Sequence, residues 1–137
     1  MNANKLQVLV IDDDAVVGRS FDRVLSDKGY DVSTAMSGEE AMDTIQDHNF
    51  DVVFTDIKMP GMDGLEATRI IRDTMDITQP IIIALTANAT TEDRAKCLES
   101  GMDDYASKPV SPSTLERLLD KHNPIPGEGR IPSQAAS

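Results

Sequence analysis

Short apolar runs that alternate with helical patterns constrain the fold of this chain more than any other feature. The clearest runs, VVF at 52–54 and III at 81–83, lack polar alternation and therefore predict strands that are covered on both faces. Elsewhere apolar residues recur at helical spacing, as at Leu115, Leu118 and Leu119. Strands alternating with helices favour a parallel sheet with helices on both faces. We therefore predict an α/β protein built from five β-α units.

The boundaries of these elements are marked by residues that cap helices. The predicted strands cover residues 6–11, 32–35, 51–55, 80–85 and 104–107. Ser37 and Glu40 have the spacing of a capping box and begin a helix that runs to about residue 47. Asp63 and Glu66 repeat this spacing before a helix that runs to about residue 73. Gly29 and Gly101 end two further helices, the second of which begins at about residue 90, and Pro112 begins the last helix.

Length and charge limit the classes of function. The chain has 137 residues, which suits one domain, and a formal net charge of −11. It shows no basic patch, so we expect neither direct nucleic-acid binding nor attachment to an anionic membrane. Cys97 is the single cysteine, and the first apolar run is too short for a signal peptide or a membrane span; both features suggest a cytoplasmic protein. We predict a domain at 1–121 and a flexible Pro/Gly/Ser-containing tail or linker at 122–137.

Charged and polar residues follow four of the five predicted strands. Asp12 and Asp13 follow the first strand, Asp56 the third, Thr86 the fourth and Lys108 the fifth. Ligands of open parallel sheets bind outside the carboxyl ends of the strands. We therefore expect these side chains to form one site.

The chemistry of this set favours a divalent cation and a phosphoryl group. Three clustered carboxylates repel one another, and a bound cation removes the repulsion. Their hard oxygen ligands suit Mg²⁺ rather than zinc. Lys108 and Thr86 can bind phosphoryl oxygens, and a carboxylate can attack phosphorus directly.

Each of these residues also has a plain structural interpretation. Asp14, the next residue after the first acidic pair, is best explained as a helix cap. A single aspartate after a strand is usually a turn residue. Lys108 precedes Pro109, and the bond between them can be cis, although most bonds to proline are trans. The functional interpretation depends on four strand ends carrying complementary groups together.

Four segments then resemble a known family. They are VLVIDDDA, FTDIKMPGMDG, IIIALTANA and GMDDYASKPV, and they occur in the order and spacing of the response-regulator receiver domain. The resemblance covers residues 5–121. It implies a flavodoxin-like, doubly wound, five-stranded parallel sheet with strand order 2-1-3-4-5.

The resemblance also implies a role for each acidic residue. Asp56 would be the phosphoacceptor, which receives a phosphoryl group from a histidine of a sensor histidine kinase or a histidine phosphotransfer protein. Asp12 and Asp13 would bind Mg²⁺ together with Asp56 and the backbone carbonyl of Lys58. Such a protein phosphorylates and dephosphorylates itself without independent substrate turnover.

Further implied roles concern the response to phosphorylation. Lys108 and Thr86 would bind phosphoryl oxygens, and Thr86 with Tyr105 would form a switch pair. A downstream protein would bind the surface made by the fourth helix, the fifth strand and the fifth helix. Lys58 and Asn88 occupy positions that influence the lifetime of the phosphoryl group.

A phosphohydrolase of the haloacid dehalogenase type is the alternative. DDDAV at 12–16 also fits the nucleophile motif of that family, with Asp12 as nucleophile and Asp14 as acid. However, the family usually has an acidic pair after its lysine, whereas the pair at 103–104 precedes Lys108. This alternative also gives Asp56 no role.

Two kinds of receiver remain open. The stretch LTANATTEDRAKCLESGMDDYASKP resembles receivers of hybrid sensor histidine kinases and phosphorelays. The stretch VLVIDDDAVVGRS resembles free-standing regulators. The sequence is therefore compatible with either architecture.

Overall fold

Five strands and five helices alternate along the chain. The computed structural model describes residues 5–74, 77, 79–87, 90–122 and 124. The elements are β1 (Gln7–Ile11), α1 (Ala15–Asp27), β2 (Asp31–Ala35), α2 (Gly38–Asp47), β3 (Val52–Asp56), α3 (Gly64–Asp73), β4 (Ile81–Thr86), α4 (Thr91–Ser100), β5 (Asp104–Ser107) and α5 (Pro112–His122). All strand pairs are parallel, in the order β2-β1-β3-β4-β5. The predicted flavodoxin-like α/β fold and its strand order are confirmed.

The two central strands end one residue later than predicted. β3 therefore ends on Asp56 and β4 on Thr86, so both residues belong to the sheet rather than to the loops that follow. Every residue of β3 and β4 is buried, as their apolar runs predicted. In the parallel register Asp56 pairs with Leu85, and Thr86 pairs with Ser107. Each residue is thus held in the sheet by pairing with one neighbouring strand.

The sheet separates two hydrophobic clusters because successive side chains of a strand point to opposite faces. Val8 and Val10 of β1 join the cluster that contains the buried leucines of α5. Leu9 and Ile11 join the cluster on the other face, which contains Cys97 of α4. Helices therefore cover both faces. No helix among the described residues is long and apolar enough to cross a membrane.

Helix N-termini carry the capping residues that the sequence indicated. The side chain of Ser37 accepts a hydrogen bond from the backbone N–H of Glu40 (3.1 Å), and that of Asp63 accepts one from Glu66 (2.8 Å). The carboxylate of Glu40 accepts from the backbone N–H of Met36 (2.8 Å), the residue before the cap, rather than from Ser37 itself. The capping box is thus widened by one residue.

The C-terminus of α5 is tied to the first residue of β5. Asp104 is buried, and its Oδ2 lies 2.8 Å from Nε2 of His122 and 3.0 Å from Nζ of Lys121. α5 therefore extends one residue beyond the predicted domain boundary at 121. The rest of the predicted tail lies outside the described residues, apart from Pro124.

The Asp104 carboxylate should contribute to stability in a pH-dependent way. Burial alone would raise the pKa of Asp104, but hydrogen bonds with His122, with the backbone N–H of Tyr105 and with Lys121 lower it to about 2. A carboxyl pKa below its unfolded value stabilises the fold above about pH 4, and this stabilisation is lost as the pH falls towards 2. Asp104→Asn should therefore cost about 2 kcal/mol at pH 7.

Urea unfolding at pH 7, 4 and 3 measures this cost. The difference between the wild type and Asp104→Asn should shrink as the pH falls. Asp120→Asn, which removes an exposed carboxylate from the same helix, is the control and should change stability little at any pH. An equal cost at pH 7 and pH 3 would contradict the assignment.

Candidate functional site

Three carboxylates meet where β1 and β3 end. Oxygen atoms of Asp12, Asp13 and Asp56 lie within 4.8 Å of one another. Asp12 and Asp56 are buried and Asp13 is exposed. The backbone N–H of Asp14 donates to Oδ1 of Asp12 (2.9 Å), which fixes that carboxylate. Closely spaced hard oxygen ligands, open to solvent on one side, are a donor set that fits Mg²⁺.

Lys108, which follows the edge strand β5, joins this cluster. Its Nζ lies 2.9 Å from Oδ2 of Asp12 and 3.2 Å from Oδ2 of Asp56. Its backbone N–H donates to the carbonyl oxygen of Thr86 (2.8 Å), which anchors the residue just beyond β5. The Lys108–Pro109 bond is cis, whereas the general preference of such bonds favoured trans. One ammonium therefore bridges residues that lie 96 and 52 positions away in sequence.

The charges at the site are not balanced. Burial, and then the charge of Asp12, raises the pKa of Asp56, while Lys108 and a hydrogen bond from the backbone N–H of Lys58 act in the opposite direction. Burial alone would lower the pKa of Lys108, but its hydrogen bond and charge interaction with Asp12, together with the charge of Asp56, raise it. Lys108 is thus held in its charged form, yet it does not offset all of the surrounding carboxylates. The remaining negative charge favours a bound cation.

A cleft of about 410 Å³ opens beside Asp56. Its lining residues come from the ends of β3 and β4, the first turn of α4 and the segment after β5: Asp56, Ile57, Lys58, Thr86, Ala87, Thr90, Asp93 and Lys108. The cleft therefore brings together Asp56, Thr86 and Lys108, as predicted. Asn88 lies outside the described residues. Tyr105 pairs with Ala84 in the sheet and is not among the residues that line the cleft.

Sequence reasoning missed Thr90 and Asp93 as part of this cleft. Thr90 caps α4, and its Oγ1 accepts a hydrogen bond from the backbone N–H of Asp93 (3.1 Å). The T-x-x-D spacing at 90–93 is a capping signal that agrees with the predicted start of α4 at about residue 90. It could not have shown that this turn faces the cleft, because that follows from the packing of α4 against the sheet.

Gly64 lets α3 begin directly against the backbone of Asp56. A Cβ atom at Gly64 would lie 2.2 Å from the carbonyl oxygen of Asp56, far below any normal contact. The backbone N–H of Gly64 donates to the carbonyl oxygen of Ile57 (2.9 Å), and the hydroxyl of Thr68 donates to the carbonyl oxygen of Gly64 (2.8 Å). The glycine thereby helps to fix the chain that carries Asp56.

Comparisons with known proteins match one family throughout. Residues 8–120 match the model of the response regulator receiver domain. Sensor histidine kinase RcsC from Escherichia coli (strain K12) is 38% identical over 114 residues, which are 83% of this chain and 12% of that protein. Response regulator MprA from Mycobacterium sp. (strain KMS) is 43% identical over 114 residues, which are 83% of this chain and 47% of that protein. The chain thus spans less than half the length of either relative.

A solved structure shows the same fold. The receiver domain of sensor histidine kinase PA1611 from Pseudomonas aeruginosa PAO1 superposes with a TM-score of 0.76 at 35% identity, covering 85% of this chain and 96% of that one. That structure has a magnesium ion coordinated in its active site cleft.

Gly64→Ala should displace the backbone at Asp56. We expect a loss of about 2 kcal/mol in the free energy of unfolding, because backbone atoms cannot give way as a flexible side chain can. Gly18→Ala is the matched control. Gly18 also lies in a helix, and its added Cβ would lie 3.2 Å from the side chain of Thr34. Chemical denaturation measures both, and equal stability of the two variants would contradict the role of Gly64.

Asp56→Asn should stabilise the metal-free protein. When folding raises a carboxyl pKa, stability falls as the pH rises from the unfolded-state pKa to the folded-state pKa, and the full cost is present above the latter. Removing this charge should raise the free energy of unfolding at pH 7 by about 1 kcal/mol, the scale of one screened carboxylate pair. Asp13→Asn, at the exposed position of the cluster, should gain less.

Mg²⁺ should stabilise the wild type more than it stabilises Asp56→Asn. Because the cation stabilises the state that binds it, thermal unfolding should shift upwards more in the wild type than in Asp56→Asn. An equal Mg²⁺-dependent shift in both proteins would show that Asp56 does not bind the cation.

Proposed function

This chain belongs to the response-regulator receiver family, and we propose that it accepts a phosphoryl group from a phosphohistidine onto Asp56. The observation that carries this proposal is the joint contact of Lys108 with Asp12 and Asp56 beside an open cleft. A carboxylate, a cation and room for a phosphoryl group meet there. The set therefore contains a nucleophile and a group that neutralises charge on its target.

The proposed reaction exchanges one bond to phosphorus for another. A carboxylate oxygen of Asp56 attacks phosphorus, and the bond between phosphorus and the donor's imidazole nitrogen breaks. The electron pair of that bond leaves with the imidazole. Lys108 lies close enough to Asp56 to bind a phosphoryl oxygen, and Thr86 offers a hydroxyl on the wall of the same cleft. Positioning and charge neutralisation supply most of the catalysis of such transfers.

Mg²⁺ is the proposed cofactor. Asp12, Asp13 and Asp56 would hold it, with the backbone carbonyl of Lys58 as a further ligand. Their spacing and hard oxygen atoms fit this ion. Burial and then the charge of Asp12 raise the pKa of Asp56, and the ion would offset that charge. The bound cation would neutralise charge on the phosphoryl oxygens.

One contact argues against the hydrolase alternative. That mechanism needs the carboxyl group of Asp14 as an acid facing the substrate. In the structure, Asp14 is the N-cap of α1, and its Oδ1 accepts a hydrogen bond from the backbone N–H of Val16 (3.0 Å). Asp12 is 3% exposed and is held by Lys108. We therefore propose no independent turnover of small phosphate esters.

The proposed partners follow from this role. A sensor histidine kinase or a histidine phosphotransfer protein would donate the phosphoryl group, and a downstream protein would bind the surface formed by α4, β5 and α5. Thr86 and Tyr105 would couple the site to that surface as a switch pair. Relatives of both kinds, a sensor kinase and a response regulator, match this chain, so it could act as either module. We place this role in the cytoplasm, where a reducing environment keeps a free thiol such as that of Cys97 reduced.

The assignment of Asp56 is tested by labelling with acetyl phosphate and Mg²⁺. The wild type should gain one acid-stable, base-labile phosphoryl group, and Asp56→Asn should gain none because its amide cannot form the acyl phosphate. Intact-mass spectrometry measures both. Labelling of Asp56→Asn at the wild-type rate would refute the assignment. Steady hydrolysis of a phosphate ester that is lost in Asp12→Asn but kept in Asp56→Asn would instead support the hydrolase.

A further inference from the structure

A cation stacks on the aromatic ring of the predicted switch pair. The guanidinium carbon of Arg94 lies 4.7 Å from the centroid of the Tyr105 ring. This distance is within the range of a cation–π interaction. Tyr105 is half-buried and packs against the cluster that contains Ile82 and Ala84, so the ring lies between this core and Arg94. The stacking therefore links α4 to β5 at the protein surface.

α4 has few other means of attachment. Of its ten residues, Cys97 and Ser100 are buried, and Leu98 is 59% exposed. The free energy gained by burying apolar surface is correspondingly small for this helix. The cation–π interaction therefore adds to a small apolar contact between α4 and the sheet.

The same helix also reaches the cleft. Thr90 and Asp93 line the cleft beside Thr86, and Arg94 is the next residue along the chain. A displacement of the first turn of α4 would therefore move Arg94 relative to Tyr105.

We propose that Arg94 is a positioning residue that holds the Tyr105 ring in its present position beside α4, and so opposes a change of that position on phosphoryl binding. This proposal rests on the proposed function. In a two-state equilibrium, an interaction made only in the empty state weakens binding of the ligand that favours the other state. Removing that interaction should tighten binding.

The contact depends on the planar guanidinium as well as on charge. Arginine stacks on aromatic rings through its flat, delocalised cation, whereas the ammonium of lysine is a compact and strongly hydrated charge. Arg94→Lys should therefore retain part of the stacking on Tyr105, and Arg94→Ala should remove all of it. Lys96→Ala is the control for charge alone, because it removes a cation from the same helix.

The ring itself can be observed directly. The chain has two tyrosines and no tryptophan, so 3-fluorotyrosine in a Tyr30→Phe background gives one ¹⁹F resonance, that of Tyr105. Arg94→Ala should shift this resonance and increase ring mobility in the metal-free protein. Lys96→Ala should leave it unchanged. Identical spectra for Arg94→Ala and its parent would overturn the proposal whether or not the site accepts phosphoryl groups.

The coupling is measured by titrating beryllofluoride, a phosphoryl mimic, in the presence of Mg²⁺. Half-saturation in Arg94→Ala should fall about two- to five-fold, the range expected for a surface cation–π interaction. In a Tyr105→Leu background, Arg94→Ala should change half-saturation by less than about 1.5-fold, because no ring remains to stack on. An equal fall in half-saturation in the Tyr105→Leu background, or in Lys96→Ala, would show a charge effect and overturn the proposal. Weaker binding of beryllofluoride by Arg94→Ala would overturn it as well.

The two proposals fail in distinguishable ways. A wild-type protein that neither labels on Asp56 nor binds beryllofluoride refutes the proposed function. A wild-type protein that does both, beside an Arg94→Ala variant with unchanged binding, refutes the role of Arg94 alone.

Discussion

The ammonium of Lys108, shared between Asp12 and Asp56, is the interaction on which the rest of the site depends. Without it, two buried carboxylates would face each other in a medium where their repulsion is much stronger than in water. The charge of Lys108 lowers the pKa of Asp56, although burial and the charge of Asp12 still keep that pKa raised. The site is therefore stable enough to fold but carries excess negative charge. Such a site is suited to a divalent cation, and the proposed nucleophile stands within it.

The sheet makes this arrangement possible because its interior is almost wholly apolar. β3 and β4 are buried along their whole length, so polar groups concentrate where these strands end. Gly64 then brings α3 against the carbonyl oxygen of Asp56, which leaves that residue little freedom. α4 contrasts with these elements, since it buries little of its surface and borders both the cleft and Tyr105. A firmly packed sheet edge beside a helix that buries little surface fits the proposed switch.

Much of the fold could be predicted because periodicity and caps are local. The five β-α units, the caps at Ser37 and Asp63, and the two-sided burial of β4 are all confirmed. The strand order came from the family resemblance rather than from periodicity. The proximity of the side chains at the strand ends could be predicted because a parallel sheet brings those ends to one edge. What could not be predicted depends on tertiary packing: the cis bond before Pro109, the cleft-facing first turn of α4, and the stacking of Arg94 on Tyr105.

Trapping the covalent intermediate tests the central claim most directly. Borohydride reduces an aspartyl phosphate to homoserine, and peptide mass spectrometry then identifies the modified position. After incubation with acetyl phosphate and Mg²⁺, homoserine should appear at position 56, and omission of either reagent should abolish it. Homoserine at position 12 instead would contradict the proposal that Asp56 is the nucleophile and would identify Asp12 in its place.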